Sequence, residues 1–268
     1  MQNSFLTLSQ KSLHRLATKG LSRDTLLKEL GKDFQTYLEL MYAMGIEIVK
    51  ENGKYFFSTK FLSIEDATFC VVDIETNGSK LEKHQIIEIA AQKIKNNKII
   101  DRFETLVRCE RINPAITEIT GIAVEDTLLA PKLSTVLQDF RNFLGDSIFV
   151  AHDVKFDYEF ISGSLQKFGY PPLMNRYLCS IDLAERTISS YRYGLKYLND
   201  YLQLHPDATH HRAMSDVITT TNLFLKSLKK LPEDIKTVEE LIAFSKEAKR
   251  LKRPEFDPLL KVEEKEAT

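Results

Sequence analysis

The segment TFCVVDIETNG, residues 68–78, begins as an apolar run typical of a buried strand and ends with two acids. Because side chains alternate along a strand, Asp73 and Glu75 should point to the same side. Two carboxylates that leave a central strand together are costly unless a cation binds them, and hard divalent cations prefer oxygen ligands. The segment therefore predicts a cation site at a strand end, although such a pair alone also fits two solvated side chains.

Strand and helix patterns alternate around this segment, over residues 66–230. Paired antiparallel strands are predicted at QIIEIAAQKI (85–94) and KIIDRFETLV (98–107), and further strands at SIFVAH (147–152) and YLCSI (177–181). Amphipathic helices are predicted at residues 131–145, 154–169, 194–204 and 212–231. Three leading strands followed by strand–helix alternation predict an α/β fold with a mixed sheet flanked by helices.

Residues 1–62 have a different pattern, with helices predicted at Ser9–Ala17, Ser22–Leu30 and Asp33–Met44. Two apolar runs then surround Asn52-Gly53, a dipeptide typical of a hairpin turn. Three helices before a hairpin predict a small winged-helix-like domain. The third helix has no lysine or arginine up to Val49, which favours a structural or protein-docking role over reading of a DNA groove.

Residues 231–268 are predicted to form a helical and then disordered tail. Thr237 and Glu240 have the spacing of a capping box, and the helix should run to about Arg250. The apolar cluster Phe256–Leu260 either docks a partner or folds back onto its own domain.

Composition limits the class of protein. With 43% hydrophobic residues, 37 Lys and Arg, and 38 Asp and Glu, the chain should be soluble, and any contact with nucleic acid must be local. Three widely spaced cysteines argue against a zinc site or a disulfide framework. No leader or membrane segment is evident, so we expect a cytoplasmic protein without a membrane partner, and nothing implies a homo-oligomer.

Two further segments carry candidate chemistry. AHDVKFD, residues 151–157, follows a strand and opens a helix, so that Asp153 is expected to cap the helix and Asp157 lies in its first turns. Taken alone, Asp157 also fits an acid favoured by the helix dipole. His211 and Asp216, five residues apart, converge if Asp216 is helical and His211 lies on the preceding loop. That arrangement suits a metal ligand beside a general base, whereas His205 and His210 are expected at the surface.

Taken together, these segments resemble the DnaQ-like DEDDh 3′–5′ exonucleases, and within that family the epsilon-type proofreading subunits of bacterial DNA polymerase III. The matching segments are DIETNG (73–78), ITGI (119–122), AHDVKFD (151–157) and HRAMSD (211–216). The resemblance implies an RNase H-like fold that removes nucleotides from a 3′ end with two divalent metal ions, Mg²⁺ or Mn²⁺.

Roles for individual residues are implied by the same resemblance. The four acidic positions, which would hold the metals, are Asp73, Glu75, Asp157 and Asp216. His211 would be the general base, and Thr76, Thr120 and Phe156 would contact the terminal nucleotide. Asp153 stands where the family commonly has asparagine, and Asn77 where threonine is common, so the affinity for the nucleotide could differ.

The leading hypothesis is a proofreading exonuclease that acts on mostly single-stranded DNA 3′ ends as a subunit of a replicative polymerase. A free-standing DNase or an RNA-trimming nuclease would use the same catalytic residues, because only the 2′-hydroxyl distinguishes the substrates. Two hypotheses from different classes are a non-catalytic adaptor and a metal phosphatase that acts on small nucleotides.

Overall fold

The computed structural model describes residues 8–260, and the predicted disordered end, residues 261–268, lies outside them. The first part of the chain forms three helices and a small antiparallel sheet of strand order β1-β3-β2. Its elements are α1 (Gln10–Ala17), β1 (Leu21–Ser22), α2 (Arg23–Leu30), α3 (Phe34–Ala43), β2 (Ile48–Glu51), β3 (Lys54–Phe57) and a 3₁₀ turn over Ser58–Lys60. The three predicted helices and the hairpin are present, and the winged-helix assignment stays a prediction.

The hairpin turn follows from two residues with positive φ. Asn52 has φ 48° and Gly53 has φ 76°, and Glu51 pairs with Lys54 across the turn. These angles match the twist of the flanking strands, and asparagine followed by glycine tolerates them best. The predicted turn is therefore confirmed.

A five-stranded mixed sheet forms the larger part of the chain, with strand order β6-β5-β4-β7-β8. The strands are β4 (Thr68–Thr76), β5 (Ile86–Lys95), β6 (Lys98–Leu106), β7 (Ile148–Ala151) and β8 (Tyr177–Cys179). The first three pair antiparallel, whereas β7 runs parallel to both β4 and β8. The predicted mixed sheet is confirmed, and the segment that begins at Thr68 is its central strand.

Helices cover both faces of this sheet. They are α4 (Pro114–Thr120), α5 (Val124–Thr127), α6 (Leu133–Leu144), α7 (Val154–Lys167), α8 (Ser180–Thr187), α9 (Leu195–Leu202), α10 (Ala213–Leu228) and α11 (Val238–Glu247). Cys70 and Val72 of β4 pack in a core with α6 and α7, while Phe69 and Val71 pack in a second core with α10 and α11. Burial on both faces explains why β4 is a continuous apolar run.

The two parts of the chain meet at the start of α11. Glu239 is 6% exposed and accepts two hydrogen bonds from the Arg176 guanidinium, at 2.7 and 2.6 Å. The same guanidinium lies 4.9 Å from the centre of the Phe57 ring, and the Thr59 hydroxyl also donates to Glu239. A bidentate arginine–carboxylate pair fixes both partners in one geometry.

The predicted capping box of α11 is confirmed, because Thr237 and Glu240 exchange their hydrogen bonds. The helix ends at Glu247, three residues before the predicted end, where Ala248 adopts an extended backbone. The Arg186 guanidinium donates hydrogen bonds to the carbonyl oxygens of Lys246 and Ala248 at this end. Beyond it, Arg250 and Arg253 bind Glu185 at 2.8 and 3.1 Å.

Two apolar side chains of the cluster near the end of the tail are largely exposed. Phe256 is 83% exposed and Leu260 is 68% exposed. The sequence allowed either docking to a partner or folding back of Leu259 and Leu260. Leu259 is 41% exposed. Asp257 in the same segment accepts a hydrogen bond from the Tyr197 hydroxyl, so the segment is held to its own domain while Phe256 and Leu260 stay exposed. Among residues 8–260, no helix is long and apolar enough to cross a membrane.

Candidate active site

Asp73 and Glu75 lie at the carboxyl end of β4. They continue the row of Phe69 and Val71, which faces α10, whereas Ile74 points into the opposite core. The alternation of the strand thus places both carboxylates on the α10 side of the sheet.

Asp157 reaches the same edge from the first turn of α7. Its side chain is 4% exposed, and its Oδ1 accepts a hydrogen bond of 3.2 Å from the backbone N–H of Ile74. Because β4 and β7 are parallel, the helix that follows β7 begins beside the end of β4. The fold therefore brings Asp157 next to Asp73, as the sequence predicted.

The prediction that Asp153 caps α7 is wrong in its detail. Asp153 stands at the N-cap position, but its exposed side chain makes no capping hydrogen bond. Its backbone is left-handed, with φ 68° and ψ 60°, whereas a capping residue usually has an extended backbone.

Asp216 and His211 come from α10 and the loop before it. Asp216 is 8% exposed, and its Oδ2 accepts a hydrogen bond of 3.1 Å from the backbone N–H of His211. The His211 side chain is exposed, and its φ of 62° turns the chain sharply into the helix. A fixed carboxylate thus lies beside a loop histidine, the arrangement that the five-residue spacing predicted.

His210 was expected at the surface, and this expectation is wrong. Its Nδ1 lies 3.5 Å from Oδ1 of Asp216, and its side chain is 20% exposed. Two consecutive histidines therefore flank one carboxylate, because the loop before α10 folds back over the first turn of the helix.

The acids at this edge shift one another's ionisation. Burial, followed by the charges of Asp157 and Asp216, raises the pKa of Asp73 well above its usual range. Burial and then Asp216 raise the pKa of Glu75 to about 8. Burial also raises the pKa of Asp157 and of Asp216. Like charges held together in a poorly solvated place disfavour the ionised form of each group.

Three of these side chains are spaced as metal ligands are. One ligand atom each from Glu75, Asp216 and His211 lie within 4.8 Å of one another. Within the described chain, Oδ1 of Asp216 is buried and accepts no hydrogen bond, although Nδ1 of His210 lies 3.5 Å from it. A site with more carboxylate oxygens than hydrogen-bond donors to neutralise them suits a hard divalent cation, which prefers oxygen ligands. His211, assigned as a base from the sequence, also lies within ligand distance of the two acids.

Glu88 and Arg212 were missed from the sequence. Glu88 is 1% exposed on β5, directly opposite Glu75, and accepts a hydrogen bond of 2.9 Å from Arg212. Its other oxygen accepts a hydrogen bond of 2.9 Å from the backbone N–H of Ala213, the first residue of α10. The only indication in the sequence is a lone acid within the apolar strand QIIEIAAQKI. Glu88 holds the start of α10, and with it the His211–Asp216 segment, against the sheet.

His152 has a structural role beside the site. Its Nε2 lies 2.9 Å from the carbonyl oxygen of Tyr193 and must donate to it, because a carbonyl only accepts. In the neutral ring Nδ1 is then the acceptor, and it accepts from the Ser180 hydroxyl at 2.8 Å. Burial lowers the pKa of His152 to about 4. The ring is therefore neutral at physiological pH, and both nitrogens are occupied.

The three predicted nucleotide contacts differ in exposure. Phe156 precedes Asp157 on α7 and is 39% exposed, and Thr76 follows Glu75 at the end of β4. Thr120 is 4% exposed, and its hydroxyl donates to the carbonyl of Ile116 and accepts from the N–H of Ile122. These hydrogen bonds close the turn after α4, so any contact of Thr120 with a nucleotide would compete with them.

Comparison with known proteins identifies the family of the chain. The profile of the RNase_T family, described as exonuclease, matches residues 70–224. DNA polymerase III of the PolC type from Staphylococcus aureus strain bovine RF122 / ET3-1 is 31% identical over 198 residues, 73% of this chain and 14% of that protein. The same polymerase from strain MW2 matches to the same extent. The chain thus spans about one seventh of the length of these relatives.

Solved structures share the fold. Exonuclease X in complex with 5′ overhanging duplex DNA matches with a TM-score of 0.52 and 23% identity, over 66% of this chain and 99% of that one. Escherichia coli exonuclease I in complex with a dA16 oligonucleotide matches with a TM-score of 0.57 and 17% identity, over 62% and 42% of the two chains. The family match, covering more than half of the chain, together with this shared fold, confirms the predicted resemblance: the chain belongs to the exonuclease family and has the RNase H-like fold of the DnaQ-like exonucleases.

Proposed function

We propose that this exonuclease removes nucleotides from the 3′ ends of single-stranded DNA and that it proofreads during replication. The observation that carries the proposal is the meeting of Asp73, Glu75, Asp157 and Asp216 beside His211 at one edge of the sheet. Hydrolysis of a phosphodiester needs an activated water and a stabilised leaving oxygen. Two divalent cations, Mg²⁺ or Mn²⁺, supply both when bound.

The chain's own residues would divide this work. Asp73, Glu75 and Asp216 would hold one cation, and Asp73 with Asp157 the other. His211 would accept the proton of the attacking water, because its exposed ring lies beside the acids and its backbone is tied to Asp216. Glu88 would keep that loop in position through Arg212 and Ala213. Thr76, Thr120 and Phe156 would contact the terminal nucleotide.

A polymerase partner and a cytoplasmic location complete the proposal. Relatives of the PolC type are DNA polymerases, and the exposed Phe256–Leu260 cluster provides an apolar surface for docking. A non-catalytic adaptor is disfavoured, because a chain without catalysis gains nothing from four costly acids placed together.

The test uses a 5′-labelled DNA primer, with a matched or a mismatched 3′ end, and RNA of the same sequence, in Mg²⁺ or Mn²⁺. We expect shortening of DNA from the 3′ end, faster on the mismatch and absent in Asp73→Ala. Trimming of RNA alone would assign the protein to RNA turnover, and no degradation with either metal would overturn the catalytic proposal.

A further inference from the structure

A positively charged cleft adjoins the acidic edge. It is an open cleft of about 800 Å³ that begins at Asn77, two residues beyond Glu75 in the chain. Four cationic side chains line it, Lys83, Arg108, Arg111 and Lys132. The one acid among its lining residues is Glu110, which is 3.4 Å from Arg108. Within the part of the chain that the structure describes, the other three cations have no acid within 4.0 Å.

The walls of this cleft are tied to the end of β4 by the side chain of Asn77. Its amide nitrogen donates to the carbonyl of Arg111 at 2.9 Å, and its Oδ1 accepts from the N–H of Gln85 at 2.8 Å. The Gln85 side chain in turn donates to the carbonyl of Arg108 at 2.8 Å. These hydrogen bonds involve only backbone groups of Arg108 and Arg111, so their guanidinium groups remain at the surface. The same bonds hold the wall of the cleft in a fixed position relative to the end of β4.

An aromatic side chain completes the cleft. Phe168 follows the last turn of α7, lines the same cleft and is 47% exposed. A phenylalanine on a polar, cationic surface has no packing reason for its exposure. Surfaces that bind single-stranded nucleic acid combine cations that follow the phosphates with aromatic rings on which bases stack.

We propose that this cleft binds the DNA single strand upstream of the 3′-terminal nucleotide, with the cations on its phosphates and Phe168 against a base. The proposal rests on the exonuclease function and adds where the rest of the strand lies. The acidic edge repels a phosphate backbone wherever no metal neutralises it. The whole chain has a net charge of −1 and therefore gives no general attraction for DNA, so binding depends on a local cationic surface. The cleft begins at Asn77, which is two residues and at most roughly 7 Å along the chain from Glu75, and the four cations line it beyond that residue.

The experiment compares four variants with the wild type, of which Arg111→Lys keeps the charge as a conservative control. Arg111→Gln/Lys132→Gln removes two cations, Phe168→Ala removes the ring, and Lys50→Gln/Lys98→Gln removes two exposed cations away from the cleft as a matched control. Binding of a fluorescent oligothymidylate of about 16 nucleotides is measured in the Asp73→Ala background against salt concentration. Hydrolysis of the same oligonucleotide and of a thymidine dinucleotide is measured in the active protein.

For the cation variant we expect the slope of log K against log salt to fall by about 1.4, because single strands release roughly 0.7 counterion per lost contact. The Kd and the KM for the long substrate should rise about tenfold at low salt. Phe168→Ala should raise both roughly tenfold without changing the salt slope. Turnover of the dinucleotide and the behaviour of the control variant should match the wild type, and Arg111→Lys should keep the slope.

Unchanged slope and KM in the cation variant, or an equal loss in the control variant, would overturn the proposal for the cleft. Hydrolysis by the wild type of neither substrate would overturn the exonuclease function instead. The binding arm uses catalytically inactive protein and therefore decides on the cleft in either case.

Discussion

The carboxylates of low exposure in this chain form two groups, one paired with arginines and one without an arginine partner among the described residues. Glu239, at the junction of the two parts, receives a bidentate pair from Arg176, and Glu185 receives Arg250 and Arg253 from the tail. At the end of β4, the hydrogen bonds of the acids come mainly from backbone N–H groups, such as that of Ile74.

This difference separates acids that arginines neutralise within the protein from acids that no arginine neutralises. A buried carboxylate without a partner costs several kcal/mol of stability, or it becomes protonated, whereas a paired and hydrogen-bonded one is tolerated. The junction solves the problem within the protein. At the edge of the sheet no arginine pairs with Asp73, Asp157 or Asp216 within the described residues, which supports the proposed binding of a divalent cation there.

Glu88 stands between the two cases. It is opposite Glu75 in the sheet, but Arg212 and the N–H of Ala213 satisfy it. Glu88 is therefore a paired acid, although it lies beside the unpaired acids and positions the start of α10 next to them.

The largest expected effect comes from an isosteric change at the edge. Asp73→Asn should lower the exonuclease rate by at least about a thousandfold, because several kcal/mol of transition-state stabilisation depend on the metals. The free energy of unfolding without metal should change by less than about 1 kcal/mol, because asparagine keeps the size of the side chain and removes a charge that burial and the neighbouring acids disfavour. Primer degradation and urea unfolding measure the two quantities, and a large loss of stability would contradict this account.

The reverse result is expected at the junction. Arg176→Ala leaves Glu239 buried without its arginine and should destabilise the protein by about 3 kcal/mol. The rate per folded molecule should stay within about twofold, since Arg176 is remote from the acidic edge. Urea unfolding measures the stability, and the primer assay measures the rate at a temperature where the variant is folded. Loss of activity in the folded variant would contradict a purely structural role for Arg176.

Glu88→Gln tests whether Glu88 supports the acidic edge or only the stability of the fold. It keeps the size and an acceptor for the N–H of Ala213, but loses the charge that binds Arg212. The rate should fall about thirtyfold, as for other residues that orient metal ligands. Affinity for Mn²⁺ should fall with it, whereas a purely structural role would lower stability and leave both unchanged in the folded protein.

The smallest effect concerns pH. The pKa of Glu75 is raised to about 8 in the folded chain, so the folded state binds more protons than the unfolded state above the ordinary value. Stability without metal should therefore rise as the pH falls, by about 1 kcal/mol between pH 8 and pH 7. The difference between wild type and Glu75→Gln isolates this group from His152, whose lowered pKa acts in the opposite direction at lower pH. No pH dependence of that difference would show that Glu75 is ordinarily ionised.

The acidic edge could be predicted from the sequence because the positions of its residues follow from local sequence patterns. Alternation along β4 placed Asp73 and Glu75 together, and five residues placed His211 beside Asp216. The cap by Asp153 failed because its backbone is left-handed, which the neighbouring residues do not dictate.

The partners that stabilise the structure were out of reach of the same reasoning. Glu88 meets Arg212 across 124 positions, and Arg176 meets Glu239 across 63. No periodicity specifies such pairs, since they depend on how whole elements pack. The contact of His210 with Asp216 likewise depends on the path of one loop.

The most direct test of the central claim is calorimetric titration of Mn²⁺ into the metal-free protein, with Asp216→Asn and Glu239→Gln as the matched pair of variants. We expect the wild type to bind Mn²⁺, Asp216→Asn to bind it at least about tenfold more weakly, and Glu239→Gln to bind it as the wild type does. Equal binding by the wild type and Asp216→Asn, or a loss confined to Glu239→Gln, would contradict the assignment of the unpaired acids to a metal.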